Sequence, residues 1–258
     1  MDRLAQRSDE RPMTDQTQLA RAARGLLDGL ASELARRSNG EPALAPFAAE
    51  LAAMQSDRVQ RGPFPALDHP GMSQLESALA AMPDDLALAP LVRSAARTMD
   101  WSQIFSGGGI EPNLAEGMLA AQAAGTYGVF ASDRSAAGLF LLAPKILYPP
   151  HTHTAAEIYV VLSGNLDLVH GVDGAPFRVG PGEVSMTPPN RLHALMTGDE
   201  PVLAAYVWIG DIYCRNWWWD RDPSGAWRRT AWRRAANGPW QAEHSEPITP
   251  DLMAEAHP

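Results

Sequence analysis

The sequence predicts a mainly β protein, a single antiparallel sandwich or barrel preceded by an α-helical N-terminal extension. Two observations predict it. Before about Asp100, apolar residues recur at helical spacing. After it, short runs of β-formers alternate with Gly, Pro and Asn turn signals, the texture of an antiparallel sandwich or barrel. A chain of 258 residues that is 45% hydrophobic can bury one β-rich core plus an extension.

Residues 1–16 read as a flexible polar start. From Thr17 to Arg37, Leu19, Ala23, Leu26, Leu27, Leu30 and Leu34 form one stripe, and Asn39-Gly40-Glu41-Pro42 breaks the helix. A second helix is expected near Phe47 to Gln55. Arg61 to Pro65 reads as a linker, and Gly71 to Arg97 as two helices divided around Pro83-Asp84-Asp85. These stripes need a partner, either the following domain or a second subunit. Strands are expected over Gly138–Ala143, Glu157–Leu162, Leu166–His170, Glu183–Thr187 and Val202–Ile209, with turns at Ser163-Gly164-Asn165, Asp173-Gly174 and Gly180-Pro181-Gly182. From Asp220 onward the chain is rich in Arg, Trp and Pro without periodicity. The expected division is a helical extension over 1–100, a barrel over 101–220 and a tail over 221–258. There is no internal repeat, so one barrel is expected rather than two.

The formal net charge of −9 and a sequence pI of about 5.2 argue against a nucleic-acid partner, because phosphate binding needs clustered cations. The polar start has no apolar run suited to a secretory leader, and no stretch of 18 apolar residues suggests a membrane span. Cys214 is the only cysteine, so neither an internal disulfide nor a Cys-based zinc site is expected; a reducing cytoplasm suits this composition. The expected partner is a small molecule, and a homodimer is left open.

The chemistry concentrates in Tyr148-Pro-Pro-His151-Thr-His153-Thr-Ala-Ala-Glu157-Ile-Tyr159. Residues two apart in extended chain share a face, so His151 and His153 can converge, as can Glu157 and Tyr159. A turn over Thr154 to Ala156 can fold the second pair against the first. Roughly 30 residues on, His193 follows the corner Pro188-Pro189 and supplies a third imidazole. Imidazoles plus a carboxylate suit a divalent transition metal such as Fe, Zn or Mn, with positions left for substrate.

At these residues the sequence resembles the cupin superfamily. The motif H-x-H-x(3)-E-x(6)-G is matched by His151, His153, Glu157 and Gly164, and G-x(5)-P-x-G-x(2)-H-x(3)-N by Gly182, Pro188 and His193. Three positions depart: Lys145 stands for the glycine that leads the first motif, Asn190 for the second motif's inner glycine and Thr197 for its last asparagine. The resemblance implies a single cupin jelly-roll barrel and the ligand set but hardly the reaction, since cupins include dioxygenases, isomerases, decarboxylases, lyases and plain binders.

A finer resemblance is to the bacterial cupin dimethylsulfoniopropionate lyases. It is carried by Tyr148 ahead of His153, by Glu157-Ile158-Tyr159, by Tyr206-Val-Trp208-Ile-Gly-Asp211 and by the helical extension. It implies a carbon–sulfur lyase acting on a small sulfonium carboxylate to give dimethyl sulfide and acrylate. It makes His153, Glu157 and His193 ligands, with His151 a less uniform one, and Tyr159 ligand and base. It places Tyr148 and Trp208 along the pocket. Tyr206 shares a strand face with Trp208, and Tyr148 stands as the second candidate base. Two other readings stay open from the residues alone: another metal-dependent cupin enzyme, and a cupin that binds a small ligand without turnover. Tyr159 can equally be a buried strand tyrosine, and the run Trp217-Trp218-Trp219 is expected to serve packing.

Overall fold

The computed structural model describes residues 13–54, 59–60, 69–105, 109–234 and 240–257. The linker expected over Arg61 to Pro65 lies outside them. The described residues form six α-helices and thirteen strands, numbered in chain order: α1 (Met13–Arg37), α2 (Ala45–Ala52), α3 (Leu75–Ala80), α4 (Ala89–Thr98), β1 (Trp101–Gln103), α5 (Pro112–Gly117), β2 (Met118–Ala124), β3 (Ser135–Leu142), β4 (Leu147–Thr152), β5 (Ala156–Ser163), β6 (Leu166–His170), β7 (Phe177–Val179), β8 (Val184–Thr187), β9 (His193–Thr197), β10 (Val202–Ile209), β11 (Asn216–Arg221), β12 (Trp227–Arg234), β13 (Trp240–Pro247) and α6 (Pro250–Ala256).

α1 begins at Met13, inside the stretch expected to be a flexible start. Its first turn lacks an apolar stripe, but a nucleated helix extends readily over good helix formers such as Met and Gln. All six stripe residues from Leu19 to Leu34 are buried. Arg36 and Arg37 complement the helix dipole in the last turn and pair with Glu33 at 2.7 and 2.6 Å. Arg37 also donates to the Gly182 carbonyl at 2.6 Å, tying the helix to the turn before β8. Proline sits in the first turn of α2 and of α4, where the missing N–H costs nothing.

Two antiparallel sheets face each other. One runs β1-β2-β3-β10-β5-β8, the other β13-β12-β11-β4-β9-β6-β7. The six-stranded sheet is apolar on both faces, for two different reasons. Leu139 and Leu141 of β3, Ile158 and Val160 of β5, and Ala205 and Val207 of β10 point outward and share a core with the α1 stripe, Phe47 and Leu79. Their neighbours Phe140, Leu142, Tyr159, Val161 and Ala204 point inward and meet Leu168 and Leu195 of the other sheet. The helices therefore find their partner on the barrel itself.

The segment beyond Asp220, read from the sequence as an aperiodic tail that could wrap the barrel, forms strands and a helix. β12 and β13 extend the seven-stranded sheet and α6 packs Ala256 against Leu192 and Trp219. Periodicity was missing because β13 is an outer strand whose exposed side carries charge, which protects a sheet edge. Arg229 of β12 donates to Glu246 of β13 at 2.7 Å, and Thr230 and Ser245 share a hydroxyl contact at 2.7 Å. On β11 the three tryptophans alternate. Trp218 joins the cluster of Phe105, Tyr148 and Trp232, while Trp219 lies on the side covered by α6.

The motif departures acquire a physical meaning here. Gly164 (φ 72°) and Gly182 (φ 85°) are left-handed, and so are Lys145 (φ 60°) and Asn190 (φ 64°), the two residues that replace motif glycines. The turns keep the glycine conformation without the glycine. Thr197 likewise takes up a turn role: its hydroxyl accepts from Ile146 N–H at 2.8 Å and donates to the Ala143 carbonyl at 2.7 Å.

Candidate metal centre and substrate pocket

Three strands and one turn bring the four predicted ligands together between the sheets. His151 is the penultimate residue of β4 and pairs directly with His193, which opens β9. His153 follows β4 by one residue. Glu157 comes from β5 in the opposite sheet. All four are buried, with 1–2% of each exposed.

The imidazoles are anchored from behind. Nδ1 of His151 lies 2.8 Å from the Pro149 carbonyl, Nδ1 of His153 is 2.9 Å from that of Ala155, and Nδ1 of His193 is 2.9 Å from that of Arg191. A carbonyl can only accept, so each Nδ1 carries the hydrogen and each neutral ring presents a bare Nε2. One ring nitrogen from each of the three lies within 4.8 Å of the others. Nε2 of His193 is buried and has no well-formed hydrogen bond, although Glu157 Oε2 is 3.2 Å away. A cluster of fixed, inward lone pairs with one left unsatisfied suits a cation, and these three imidazoles can hold a metal ion. Glu157 Oε2 is also 3.3 Å from His153 Nε2, about the spacing of two atoms bound to one ion at 2.0–2.1 Å. Its other oxygen accepts a hydrogen bond from the indole N–H of Trp208.

The electrostatics favour neutral rings at His151 and His193 beside an ionised carboxylate. Burial holds His151 well below the ordinary histidine range, and the neighbouring His193 and His153 add to that. Burial also lowers His193, partly opposed by Glu157. For Glu157 burial alone would raise the pKa, but the adjacent His153 and His193 override it and hold the carboxyl well below its usual value.

A cavity of about 270 Å³ opens beside this cluster. Glu157 borders it, as do Tyr159, Tyr148, Trp208 and Tyr206; the three imidazoles do not. Tyr159 shares the inward face with Glu157, as its phase requires, and its ring stacks on Phe140 at 5.7 Å. Burial, reinforced by the Glu157 charge, pushes its pKa well above the usual tyrosine range. Tyr148 stacks on His151 with ring centres 3.9 Å apart, and its hydroxyl accepts from Asn216 at 2.5 Å. Burial raises its pKa too. Trp208 pairs across the strands with Glu157 and lies over His153 at 4.3 Å, so part of its role is to hold the carboxylate. Tyr206, opposite Tyr159, accepts a hydrogen bond from Gln122 at 3.1 Å.

Gln122, Asn216, Trp240 and Arg234 also border the cavity and were not foreseen. Asn216 carried a signal, a lone amide entering an apolar strand; the others carried none. Lys145 is far from this chemistry in character: it is solvent-exposed and 3.3 Å from Asp199. Burial raises the Cys214 thiol, which keeps it protonated.

The sequence model of the dimethylsulfoniopropionate (DMSP) lyase family matches residues 47–204. The chain belongs to the DMSP lyase family. It is 31% identical over 175 residues to the dimethylsulfoniopropionate lyase DddQ of Ruegeria pomeroyi, covering 67% of this chain and 83% of that protein. The crystal structure of that DddQ superposes with a TM-score of 0.54 at 25% identity, over 71% of this chain and 92% of the other. A structure from a study of the DMSP lyases RdDddP and RnDddQII gives a TM-score of 0.55 at 22% identity, over 74% and 94%, and shows the shared fold alone. The barrel is thus the cupin barrel of this lyase family, extended at its C-terminal end by strands that lie beyond the family-matched segment.

Proposed function

We propose that this protein is a metal-dependent DMSP lyase that splits dimethylsulfoniopropionate into dimethyl sulfide and acrylate by β-elimination. One observation carries the reading: in a chain of this family, Glu157 and Tyr159 share one cavity wall, backed by three imidazoles whose Nδ1 atoms are all anchored. In this assignment His151, His153, His193 and Glu157 hold a divalent transition ion, with Fe, Zn and Mn each suited to the donor set. When bound, such an ion supplies positive charge against the charge that builds on the carboxylate, and it favours the phenolate of Tyr159.

The rest falls to the chain itself. The Tyr159 oxygen takes the proton from the carbon next to the carboxylate. The freed electron pair becomes the carbon–carbon double bond, the carbon–sulfur bond breaks, and the sulfonium leaves as neutral dimethyl sulfide. The proton passes from Tyr159 to solvent. Tyr148, held by Asn216, is the alternative base. The faces of Trp208 and Tyr206 suit the sulfonium, a cation without hydrogen-bond donors, and keep water from the reacting carbons. A cytoplasmic setting goes with this reading, since the free thiol of Cys214 is preserved there.

The test is headspace detection of dimethyl sulfide from purified, tag-free protein given DMSP without oxygen, before and after chelation and reloading with each metal. Anaerobic release that is lost on chelation and restored by one of the ions is expected. Turnover that needs oxygen, or none with any ion, removes the lyase reading.

A further inference from the structure

The cavity has a second charged pole that the reaction described above does not use. Arg234 closes β12, in the C-terminal extension beyond the family-matched residues 47–204, and it borders the same cavity as Glu157 and Tyr159. Its guanidinium carbon lies 5.3 Å from the ring centre of Tyr127 and 5.9 Å from that of Trp240, its cross-strand partner. Among the described residues, no carboxylate lies within ion-pair distance of it. Its neighbours differ: Arg233 is 3.8 Å from Glu243, and Arg229 is bonded to Glu246. The side chain is half-buried, and its bordering of the cavity shows where it is open. Burial lowers its pKa while Tyr206 and Tyr127 act the other way, but a guanidinium stays charged throughout.

A cation withdrawn from water between aromatic faces, with no anion to offset it, is costly and persists where a ligand completes it. The planar fork of arginine matches a carboxylate through two parallel hydrogen bonds. We propose that Arg234 is a substrate-binding residue that receives the carboxylate of the substrate and of the acrylate product. The proposal rests on the lyase reading for its substrate, and deepens it. A carboxylate has two oxygens, so a guanidinium on one leaves the other for the metal centre. The same positive charge repels a sulfonium, so Arg234 fixes the orientation in which a zwitterion can enter. It also selects free acids over neutral esters and amides of the same shape.

Calorimetric titration of the metal-loaded, full-length protein with acrylate and with acrylamide tests this without requiring turnover. Arg234→Gln should weaken acrylate binding by about tenfold to a hundredfold, the usual cost of losing a hydrogen bond to a charged group. Acrylamide binding should stay within about twofold, and Arg229→Gln, on the same strand but not bordering the cavity, should leave both ligands unchanged. Should Arg234→Gln fail to fold, Arg234→Lys keeps the charge but not the fork and should still lose affinity for acrylate selectively. Equal losses for acrylate and acrylamide would show that Arg234 merely shapes the wall. Unchanged acrylate affinity in the variants, or no acrylate binding by the wild type, overturns the proposal as well. A wild type that binds acrylate through Arg234 yet releases no dimethyl sulfide would sink the lyase reading alone.

Discussion

Strand β5 shows two chemistries on one backbone. Ile158 and Val160 point outward, into the layer filled by α1, α2 and α3; Glu157 and Tyr159 point inward, to the imidazole cluster and the cavity beside it. Both faces are buried to a similar degree, so burial does not separate them. What does is satisfaction. Outward residues contribute stability through apolar area and have no polar atom to pair. Inward residues bury an ionised carboxylate and a phenol, and the carboxylate draws its neighbours from other parts of the barrel. Glu157 has Trp208, His153 and His193. A half-satisfied polar network costs more than an apolar core, so the inner face spends stability that the helix-covered outer face supplies. The helical extension is thus part of what makes the site affordable in this barrel.

Substitutions on alternate residues of β5 can break that comparison. The largest effect is expected at Tyr159→Phe, which should lower dimethyl sulfide release by about 10²–10⁴-fold, the usual cost of losing a general base, while the melting temperature and metal content hold. If most of the rate survives, Tyr148 becomes the base, and Tyr148→Phe should then show the loss. One residue away, Ile158→Ala should do the reverse. It should cost about 2–5 kcal/mol of stability by denaturant titration, because it empties a fully buried site between sheet and helices. Turnover per folded molecule should stay near wild type. Loss of turnover without loss of stability would show that the faces are not independent.

Trp208→Phe sharpens the inner face further. It keeps an aromatic ring but removes the N–H that Glu157 accepts. Metal affinity should fall by about 10–100-fold in a chelator competition, the cost typical of losing a residue that orients a ligand. Unchanged metal affinity would leave Trp208 as a pocket wall only. The smallest effect is expected away from both faces, at Lys145→Gly. Relief of the left-handed conformation should outweigh the added backbone freedom and stabilise the fold by about 0.5–1 kcal/mol. The exposed Lys145–Asp199 pair adds little, so its loss should not mask the gain. A drop in melting temperature would show that Lys145 packs to some purpose.

What the sequence by itself determined was local. The stripe of α1, the two-residue spacing of His151 with His153 and of Glu157 with Tyr159, and the corner before His193 are properties of a few consecutive residues. Backbone geometry converts such spacing directly into a shared face. The alternation on β5 was legible for the same reason, and the barrel followed from the short runs between turn residues. Only the tertiary structure decided which distant residues face that site. Register between β10 and β5 sets Trp208 opposite Glu157 and so makes it a hydrogen-bond donor as well as an aromatic wall. Pairing of β12 with β11 and β13 brings Arg234 to the cavity, from a stretch whose charged edge hid its strands. Lys145 and Asn190 show the same limit from the other side. Their side chains depart from the motif, yet the turns they occupy are left-handed, because backbone conformation there is set by what the turns must connect.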